Sequence, residues 1–467
     1  MKYGPTTWFA IIAVATALVR PTALLADETR DIAKWTVMVF MNGDNNLEPF
    51  AVSDFLEMAR LENSDDVNVV VQFDRSPHYS GSYGNWTQSM RFLIRKNMTP
   101  TAGEAVEDLG EVNMGDGAVL TDFVNWARRN YPAERYALVI WDHGQGWRFE
   151  RATRIIGNPS SRLDRVLAAR SEFLKPVFAR TGTKPNVFDE QRRSIPTDYV
   201  TSGAVRYVSS DESSGDHMFN REIQDSLIRD VGPGRIDLIG FDACLMSMVE
   251  TAYALREVAN VMVSSEELEP GDGWDYERSL SPLITNPNLT PEQLATTIVD
   301  AYERHYDPID SETTLSAIRL EEMSNLTREV TRLANECANA LDSEGTKIRS
   351  ARSRCTEYAP GYGLHGIDLK RFCEQLALES VSSDIKNAAI SVALSVDTVV
   401  IANYAGADRQ GTFGSSGIAI YFPSRKALYD TDPDGEGYEE SNANYPVEFV
   451  QAERWDNFLH AYFVLNP

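Results

Sequence analysis

The stretch YALVIWDHGQGW, residues 136–147, runs from a continuous apolar segment into a histidine followed by glycines. All six residues from Tyr136 to Trp141 are apolar or aromatic, which is typical of a strand buried on both faces of a sheet. The polar residues and glycines that follow end this strand. We therefore expect His143 at the carboxyl end of a buried, parallel strand.

Similar apolar runs recur on either side of this stretch and alternate with helical patterns. Val52, Phe55, Leu56 and Ala59 follow the spacing of one helix face. Strands that alternate with helices predict crossover units, and so an α/β fold with a mainly parallel sheet sandwiched by helices. The other predicted strands are WTVMVFM (35–41), VNVVVQF (67–73), IDLIGF (236–241) and NVMVSS (260–265).

The pattern changes near residue 285, where we place a domain boundary. Long helical stretches cover 291–306 and 325–341, and a strand-like run, SGIAIYFPS, covers 416–424. The chain is therefore expected to combine an α/β domain over 27–285 with an α+β domain over 286–467.

The first 26 residues have the features of a secretory signal peptide. Lys2 precedes a 12-residue apolar run, and small residues lead to a cleavage site after Ala26. No later segment reaches the roughly 18 apolar residues that span a bilayer, so stable membrane insertion is not expected. Export to the medium, periplasm or cell surface is predicted, and the net charge of -25 excludes nucleic acid as a partner.

A basic segment interrupts the α/β pattern between residues 148 and 206. It carries 12 Lys and Arg against 6 Asp and Glu, in a chain of opposite net charge. Several prolines and glycines punctuate it, which favours an exposed insertion. Two interpretations remain open: a solvated surface loop, or a segment cut during processing.

Four cysteines occur, an even number that is compatible with disulfides in an exported chain. Cys244 is far from the other three and has a different sequence setting. One disulfide could form among Cys337, Cys355 and Cys373, and the sequence does not indicate which two of them would pair.

Cys244 is the candidate partner of His143. It follows the predicted strand 236–241, and the apolar spacing after it predicts a helix that starts at once, whose N-terminus would favour a thiolate. Ligand sites in open α/β sheets form outside the carboxyl ends of the strands, so both residues are expected on one rim. A thiol beside an imidazole can perform acyl transfer, with the N–H groups of Gly144 and Cys244 available to an oxyanion.

Two neighbouring aspartates are assigned different roles. Asp142 precedes His143 directly and should point to the opposite face, so we predict a dyad without a third acid. Asp242 precedes Cys244 by two residues and should share its side, where a carboxylate could receive an arginine or lysine side chain of a substrate.

Five stretches resemble the clostripain family of secreted cysteine peptidases, which belongs to the same clan as caspases, legumains and gingipains. The stretches are WTVMVFMNGDNNLE (35–48), WDHGQGW (141–147), IDLIGFDACLMSMVE (236–250), SSEELEPGDGWDY (264–276) and SGIAIYFP (416–423). The resemblance implies a caspase-like sheet, catalysis by His143 and Cys244, and endopeptidase cleavage after basic residues.

The resemblance also implies further residue roles. Acids near the cysteine would read the basic side chain, which maps to Asp242 and to Asp272; Glu266, Glu267 and Trp274 are weaker candidates to line the cleft. Self-cleavage between the histidine and cysteine strands would fall in the basic insertion. The candidate processing residues there are Arg180, Lys184, Arg192 and Arg193.

No cofactor is required by this chemistry, and no metal ligands are assigned. Calcium is associated with the family, but the stretch 430–441 starts like a calcium-binding loop and has Ser441 where a bidentate glutamate is needed. Two other functions remain open: an amidase or transpeptidase that uses the same dyad, and a non-catalytic exported surface or calcium-binding protein. The sequence leaves open the physiological substrate, the choice between arginine and lysine, and the oligomeric state.

Overall fold

In this computed structural model the described residues are Met1, 32–144, 146, 209–232, 236–360, 365–411, 413–430, 438 and 447–465. Ile32–Pro467 forms one compact unit. Apart from Met1, the signal peptide and the whole basic insertion (148–206), including the four candidate processing residues, therefore lie outside the described residues.

A mainly parallel sheet forms the centre of this unit. The described strands are β1 (Ala33–Gly43), β2 (Val67–Arg75), β3 (Met90–Leu93), β4 (Glu107–Asp108), β5 (Ala133–Trp141), β6 (Ser209–Asp211), β7 (Asp216–Met218), β8 (Ile236–Asp242), β9 (Ala259–Ser264), β10 (Thr314–Arg319), β11 (Glu357–Tyr358), β12 (Gly366–Asp368), β13 (Val400–Ala405) and β14 (Ala419–Tyr421). Nine of them pair in the order β13-β10-β9-β8-β5-β1-β2-β3-β4. The five central strands, β2 to β9 in that order, run parallel, and the outer strands are antiparallel.

Helices cover both faces of the sheet. The described helices are α1 (Glu48–Met58), α2 (Gly117–Asn130), α3 (Asn220–Ser226), α4 (Val249–Leu255), α5 (Tyr276–Thr285), α6 (Pro291–Tyr306), α7 (Met323–Asn339), α8 (Leu341–Arg352), α9 (Leu369–Glu379), α10 (Ser383–Val399), α11 (Ala407–Gln410), α12 (Lys426–Asp430), α13 (Glu448–Ala452) and α14 (Trp455–Leu465). The predicted helix over 291–306 coincides with α6, where Thr290 and Gln293 form a capping box.

Alternate residues of β1 show why the central strands are continuously apolar. Met38 and Phe40 pack into a core that includes residues of α2, α7 and α10, whereas Val37 and Val39 pack into the opposite core with residues of α1 and α6. Both faces of the sheet are therefore buried, and the predicted α/β fold with its mainly parallel, helix-covered sheet is confirmed.

The C-terminal part does not form a separate body. The boundary predicted near residue 285 falls at the end of α5, and strands β10 and β13, which follow it, belong to the central sheet. Residues on both sides of the boundary therefore share one sheet and one compact unit. The C-terminal part also contributes a small sheet of β11, β12 and β14.

The four cysteines all lie in the described part of the chain, and no disulfide joins any of them. Burial raises the pKa of the Cys337, Cys355 and Cys373 thiols. The bridge that the sequence left open within this trio is therefore not formed. Among the described helices, none is both long and apolar enough to cross a bilayer.

Candidate active site

His143 and Cys244 leave neighbouring parallel strands at the same level. Trp141 at the end of β5 pairs with Asp242 at the end of β8, and each site residue comes two positions later. Adjacent strands lie about 4.8 Å apart, so the two backbones emerge side by side on the carboxyl rim of the sheet. The structure thus brings the two residues to the common rim that was predicted from their sequence settings.

The backbones after these strands are in very close contact. A Cβ atom on Gly144 would lie 2.3 Å from the carbonyl oxygen of Cys244 and 2.7 Å from its backbone nitrogen. No side chain larger than hydrogen fits at this separation. Gly144 is therefore required by the close approach of these two segments.

The His143 side chain contacts a residue that the sequence reasoning missed. Its Nε2 lies 2.9 Å from Oδ1 of Asn46, which follows β1, the strand adjacent to β5. When Nε2 donates its hydrogen to this amide oxygen, Nδ1 is the basic nitrogen of the ring. Asn46 could have been predicted from its position in the sequence. The stretch NGDNN (42–46) follows a buried parallel strand, and so lies on the same rim of the sheet as His143.

Asp142 braces the backbone at this point. Its buried carboxylate accepts hydrogen bonds from the backbone N–H of His143 at 2.6 Å and of Ser210 at 2.7 Å. The Nδ2 of Asn45 donates to it at 2.8 Å, and the hydroxyl of Ser209 donates at 3.2 Å. Burial raises the pKa of Asp142 well above its usual range. The carboxylate therefore ties the His143 backbone to the loop after β1 and to β6.

Cys244 does not begin a helix, and this part of the sequence prediction is wrong. Helix α4 starts at Val249, five residues later. Leu245 adopts a left-handed conformation with φ of +64°, and the N–H of Ser247 donates to the carbonyl of Ser265. Residues 245–247 therefore pair with the loop after β9 and do not form a helical turn. Because no helix begins at Cys244, no helix dipole acts on this sulfur.

A different group stabilises the sulfur. The backbone N–H of Glu269 donates to Sγ of Cys244 over 3.1 Å. The thiol can in turn donate to the carbonyl oxygen of Glu269, which lies 3.7 Å from Sγ. Cys244 is buried in this structure, and the loop that carries Glu269 lies directly against it.

Asp242 lies below the rim and is almost fully buried, with 4% of its surface exposed. Its carboxylate accepts hydrogen bonds from the backbone N–H of Trp274 at 3.2 Å and from the hydroxyl of Tyr276 at 2.9 Å. A Cβ on Gly273 would lie 2.9 Å from both carboxylate oxygens. Burial raises the pKa of Asp242 to about 6, against the opposing hydrogen bonds.

Other acids surround Asp242. Burial raises the pKa of Glu269 well above its usual range, and the Asp242 charge adds to this. Burial also raises the pKa of Asp54, with further contributions from Asp242 and, more weakly, Asp272. Asp272 itself is exposed. Asp242 and Asp272, the two acids predicted to bind the basic side chain of the substrate, therefore belong to one acidic group. Asp54 and Glu269 also belong to it, and the sequence did not indicate them.

Glu266, Glu267 and Trp274, the weaker candidates to line the cleft, make contacts that hold the fold together. Glu266 accepts a hydrogen bond from the backbone of Gly417, and Glu267 forms an ion pair with Arg409 at 2.6 Å. The Trp274 ring packs against Gly240 in the sheet. These residues fix the loop after β9 to the C-terminal part and to the sheet.

The calcium-like stretch is only partly described. Asp430, its first residue, ends α12 and forms an ion pair with Lys426 at 2.6 Å. Of the other residues in the stretch, only Tyr438 is described.

A thiol and an imidazole on the carboxyl rim of a helix-covered, mainly parallel sheet define the class of cysteine peptidases with a caspase-like fold. The clostripain family model matches residues 39–166 and 197–462, and the chain belongs to that family. It is therefore a cysteine-type peptidase, a hydrolase of peptide bonds that needs no cofactor for its chemistry.

Known relatives agree with this assignment. Clostripain from Hathewaya histolytica is 23% identical over 450 residues, which cover 85% of this chain and 76% of that protein. A secreted C11 cysteine protease from Bacteroides thetaiotaomicron, solved with an irreversible peptide inhibitor, superposes with a TM-score of 0.57 at 20% identity, covering 91% of this chain and 100% of the other. An inactive zymogen C11 protease from Parabacteroides distasonis superposes with a TM-score of 0.56 at 18% identity, covering 87% of this chain and 97% of the other.

Proposed function

We propose that this chain is an exported endopeptidase that cleaves peptide bonds after arginine or lysine through a dyad of Cys244 and His143. The observation that carries the specificity is the buried carboxylate of Asp242, two residues before the thiol on the same strand end. Within the described ranges, Asp242 forms no ion pair with any lysine or arginine, although Asp54 and Glu269 lie close to it. Acids held close together beside the strand that carries Cys244 favour a ligand that supplies positive charge.

The proposed reaction starts with transfer of the thiol proton from Cys244 to His143. The thiolate attacks the carbonyl carbon of the scissile bond, and the N–H groups of Gly144 and Cys244 donate to the resulting oxyanion. The imidazolium then protonates the leaving amine as the C–N bond breaks. Water, deprotonated by His143, hydrolyses the thioester and restores the thiol.

The acidic group next to the thiol supports a role for Asp242 and Asp272 in substrate recognition. A guanidinium or ammonium group that enters this region replaces a proton as the compensating charge. A charge-assisted hydrogen bond of this kind contributes about 1.5–3 kcal/mol, which is roughly 10 to 150-fold in selectivity.

Self-processing is proposed for the basic insertion. The family model leaves residues 167–196 unmatched, and this gap contains Arg180, Lys184, Arg192 and Arg193. A segment that the family model does not match, and that is rich in the proposed cleavage residues, is the proposed site of self-cleavage. Removal of residues 1–26 on export is proposed from the leader and stays a prediction.

A peptide panel that differs only in the residue before the cleaved bond tests the specificity. We expect turnover of peptides with arginine or lysine at that position and none with citrulline, a neutral isostere of arginine. Equal turnover of arginine and citrulline peptides would overturn the specificity. Transfer to added amines in place of hydrolysis would favour the transpeptidase alternative.

A further inference from the structure

The loop after β9, residues 265–275, carries Glu269 next to the thiol of Cys244. Two backbone groups of Glu269 contact the sulfur: its N–H donates to Sγ at 3.1 Å, and its carbonyl oxygen lies 3.7 Å from Sγ. Cys244 is fully buried, and Glu269 is 1% exposed. A substrate carbonyl group must reach this sulfur before the sulfur can attack it, so the structure shows a closed form of the site.

The side chain of Glu269 contacts a different part of the site. Its carboxyl group and that of Asp242 share a hydrogen bond. Two carboxyl groups can form such a bond only when one of them carries a proton. Burial and the Asp242 charge raise the pKa of Glu269 well above its usual range, whereas the pKa of Asp242 is about 6, so Glu269 is the donor. Glu269 therefore connects the sulfur, through its backbone, to Asp242, through its side chain.

The loop is also anchored on either side of Glu269. The N–H of Glu267 donates to the hydroxyl of Thr314 at 3.1 Å. On the other side, the hydroxyl of Tyr306 donates to the carbonyl oxygen of Gly273 at 2.8 Å. A movement that withdraws the Glu269 backbone from the sulfur can therefore be confined to the few residues between these two anchors.

We propose that Glu269 is a positioning residue that holds the closed form, and that the basic side chain of a substrate opens it by replacing Glu269 at Asp242. This inference rests on the proposed recognition of arginine or lysine by Asp242. The hydrogen bonds from Trp274 and Tyr276 both end on Oδ2 of Asp242, so Oδ1 is the oxygen for which Glu269 and a cation compete. A charged donor binds a carboxylate more strongly than a neutral carboxyl group does. Glu269 leaves with its own proton, and Asp242 stays ionised throughout.

Recognition of the substrate and access to the thiol are then one event. When Glu269 leaves Asp242, its backbone also leaves the sulfur, which becomes accessible to the scissile carbonyl group. A peptide with a neutral residue before the scissile bond does not displace Glu269, and the thiol stays covered. The closure therefore adds to the discrimination that binding alone provides, as in induced fit.

Alkylation of Cys244 by iodoacetamide, followed by mass spectrometry of its peptide, measures how accessible the thiol is. Butylguanidine is the probe for the basic side chain, and butylurea is its neutral counterpart. We expect butylguanidine to accelerate alkylation of the wild-type protein at least about tenfold, the equivalent of one charge-assisted hydrogen bond, and butylurea to have no effect. Alkylation of the buried Cys337 should stay slow throughout, which shows that the fold is intact.

Substitutions of Glu269 test the role of its side chain. Glu269→Ala removes the contact with Asp242, so Cys244 should be alkylated about tenfold or more faster without any ligand, and butylguanidine should add nothing. Glu269→Gln keeps a neutral donor to Asp242 and should be alkylated as slowly as wild type. The matched control is Glu303→Ala, an exposed glutamate of α6, which should also match wild type.

Equal alkylation rates of wild type and Glu269→Ala without ligand overturn the proposal, and so does a Glu269→Gln protein as reactive as Glu269→Ala. Equal rates with butylguanidine and butylurea overturn the release of the thiol by a basic group. Failure of the proposed specificity is seen separately, as equal cleavage of arginine and citrulline peptides. The alkylation of Glu269→Ala without ligand does not depend on that specificity.

Discussion

Gly144 and the backbone of Cys244 are so close that a methyl group on Gly144 would lie 2.3 Å from the Cys244 carbonyl oxygen. This contact joins two segments that are 100 positions apart in sequence. It places the residue after His143 against the backbone of the proposed nucleophile.

Gly144→Ala is expected to reduce kcat/KM by more than about 100-fold, because the added Cβ separates the two segments and displaces an oxyanion donor. Peptide hydrolysis and circular dichroism measure activity and folding together. The control is Gly103→Ala, where a Cβ meets no atom within 4 Å. An active Gly144→Ala enzyme would contradict the close contact described here.

Asn46 is predicted to orient the His143 ring. Asn46→Ala should lower kcat about tenfold or more with little change in KM, since the ring loses the acceptor that fixes its tautomer. In Asn46→Asp, the added negative charge should shift the acidic limb of the kcat/KM profile to higher pH, because it stabilises the imidazolium over the neutral imidazole that accepts the thiol proton. Asn325→Ala, an exposed asparagine of α7, is the control. Unchanged profiles in both Asn46 variants would rule out this role.

Asp242 should impose a pH dependence on the cleavage of basic peptides. Burial raises its pKa to about 6, so kcat/KM for an arginine peptide should rise as the pH increases through 6 and the carboxylate ionises. In Asp242→Asn, kcat/KM for the arginine peptide should no longer rise through pH 6 and should be lower by about 10 to 150-fold. The asparagine oxygen still accepts a hydrogen bond, which preserves packing. If Asp242→Asn cleaves the arginine peptide as fast as wild type, Asp242 does not recognise the basic side chain of the substrate.

Glu250 provides a test of stability that is independent of catalysis. Its buried carboxylate accepts hydrogen bonds from Tyr421 and Tyr438, and burial raises its pKa to about 7. A raised carboxyl pKa stabilises the fold at low pH, and this contribution is lost as the pH rises through 7. Glu250→Gln should therefore be more stable than wild type at pH 8 by on the order of 2–3 kcal/mol, and equal to it at pH 5. Denaturant unfolding at both values measures this, and a difference that is the same at both would contradict it.

Maturation should depend on the thiol. Wild-type protein is expected to separate into two associated chains on denaturing gels, with cleavage after a basic residue of the insertion, whereas Cys244→Ala stays whole. Intact mass spectrometry identifies the site, and joint substitution of Arg180, Lys184, Arg192 and Arg193 by alanine should remove or relocate it. An uncut wild-type chain would exclude self-processing.

Local patterns were sufficient to predict much of the fold. The apolar runs at 35–41, 67–73 and 136–141 became β1, β2 and β5, because a strand with both faces buried needs apolar residues throughout. The helix over 291–306 was predicted with its exact bounds, since its cap and its apolar spacing are both local. The helix predicted directly after Cys244 was wrong because contacts with a distant loop override the helical spacing there.

The sequence by itself determined the sheet, the rim on which His143 and Cys244 lie, and the glycine between them, because strand periodicity and strand ends are properties of neighbouring residues. Only the tertiary structure decided which distant groups hold these side chains: Asn46 at the imidazole, the Glu269 amide at the sulfur, and Tyr276 at Asp242. The physical reason is that hydrogen bonds and charges depend on separations of a few ångströms. Such separations between residues far apart in the chain are set by the packing of the whole sheet and its loops.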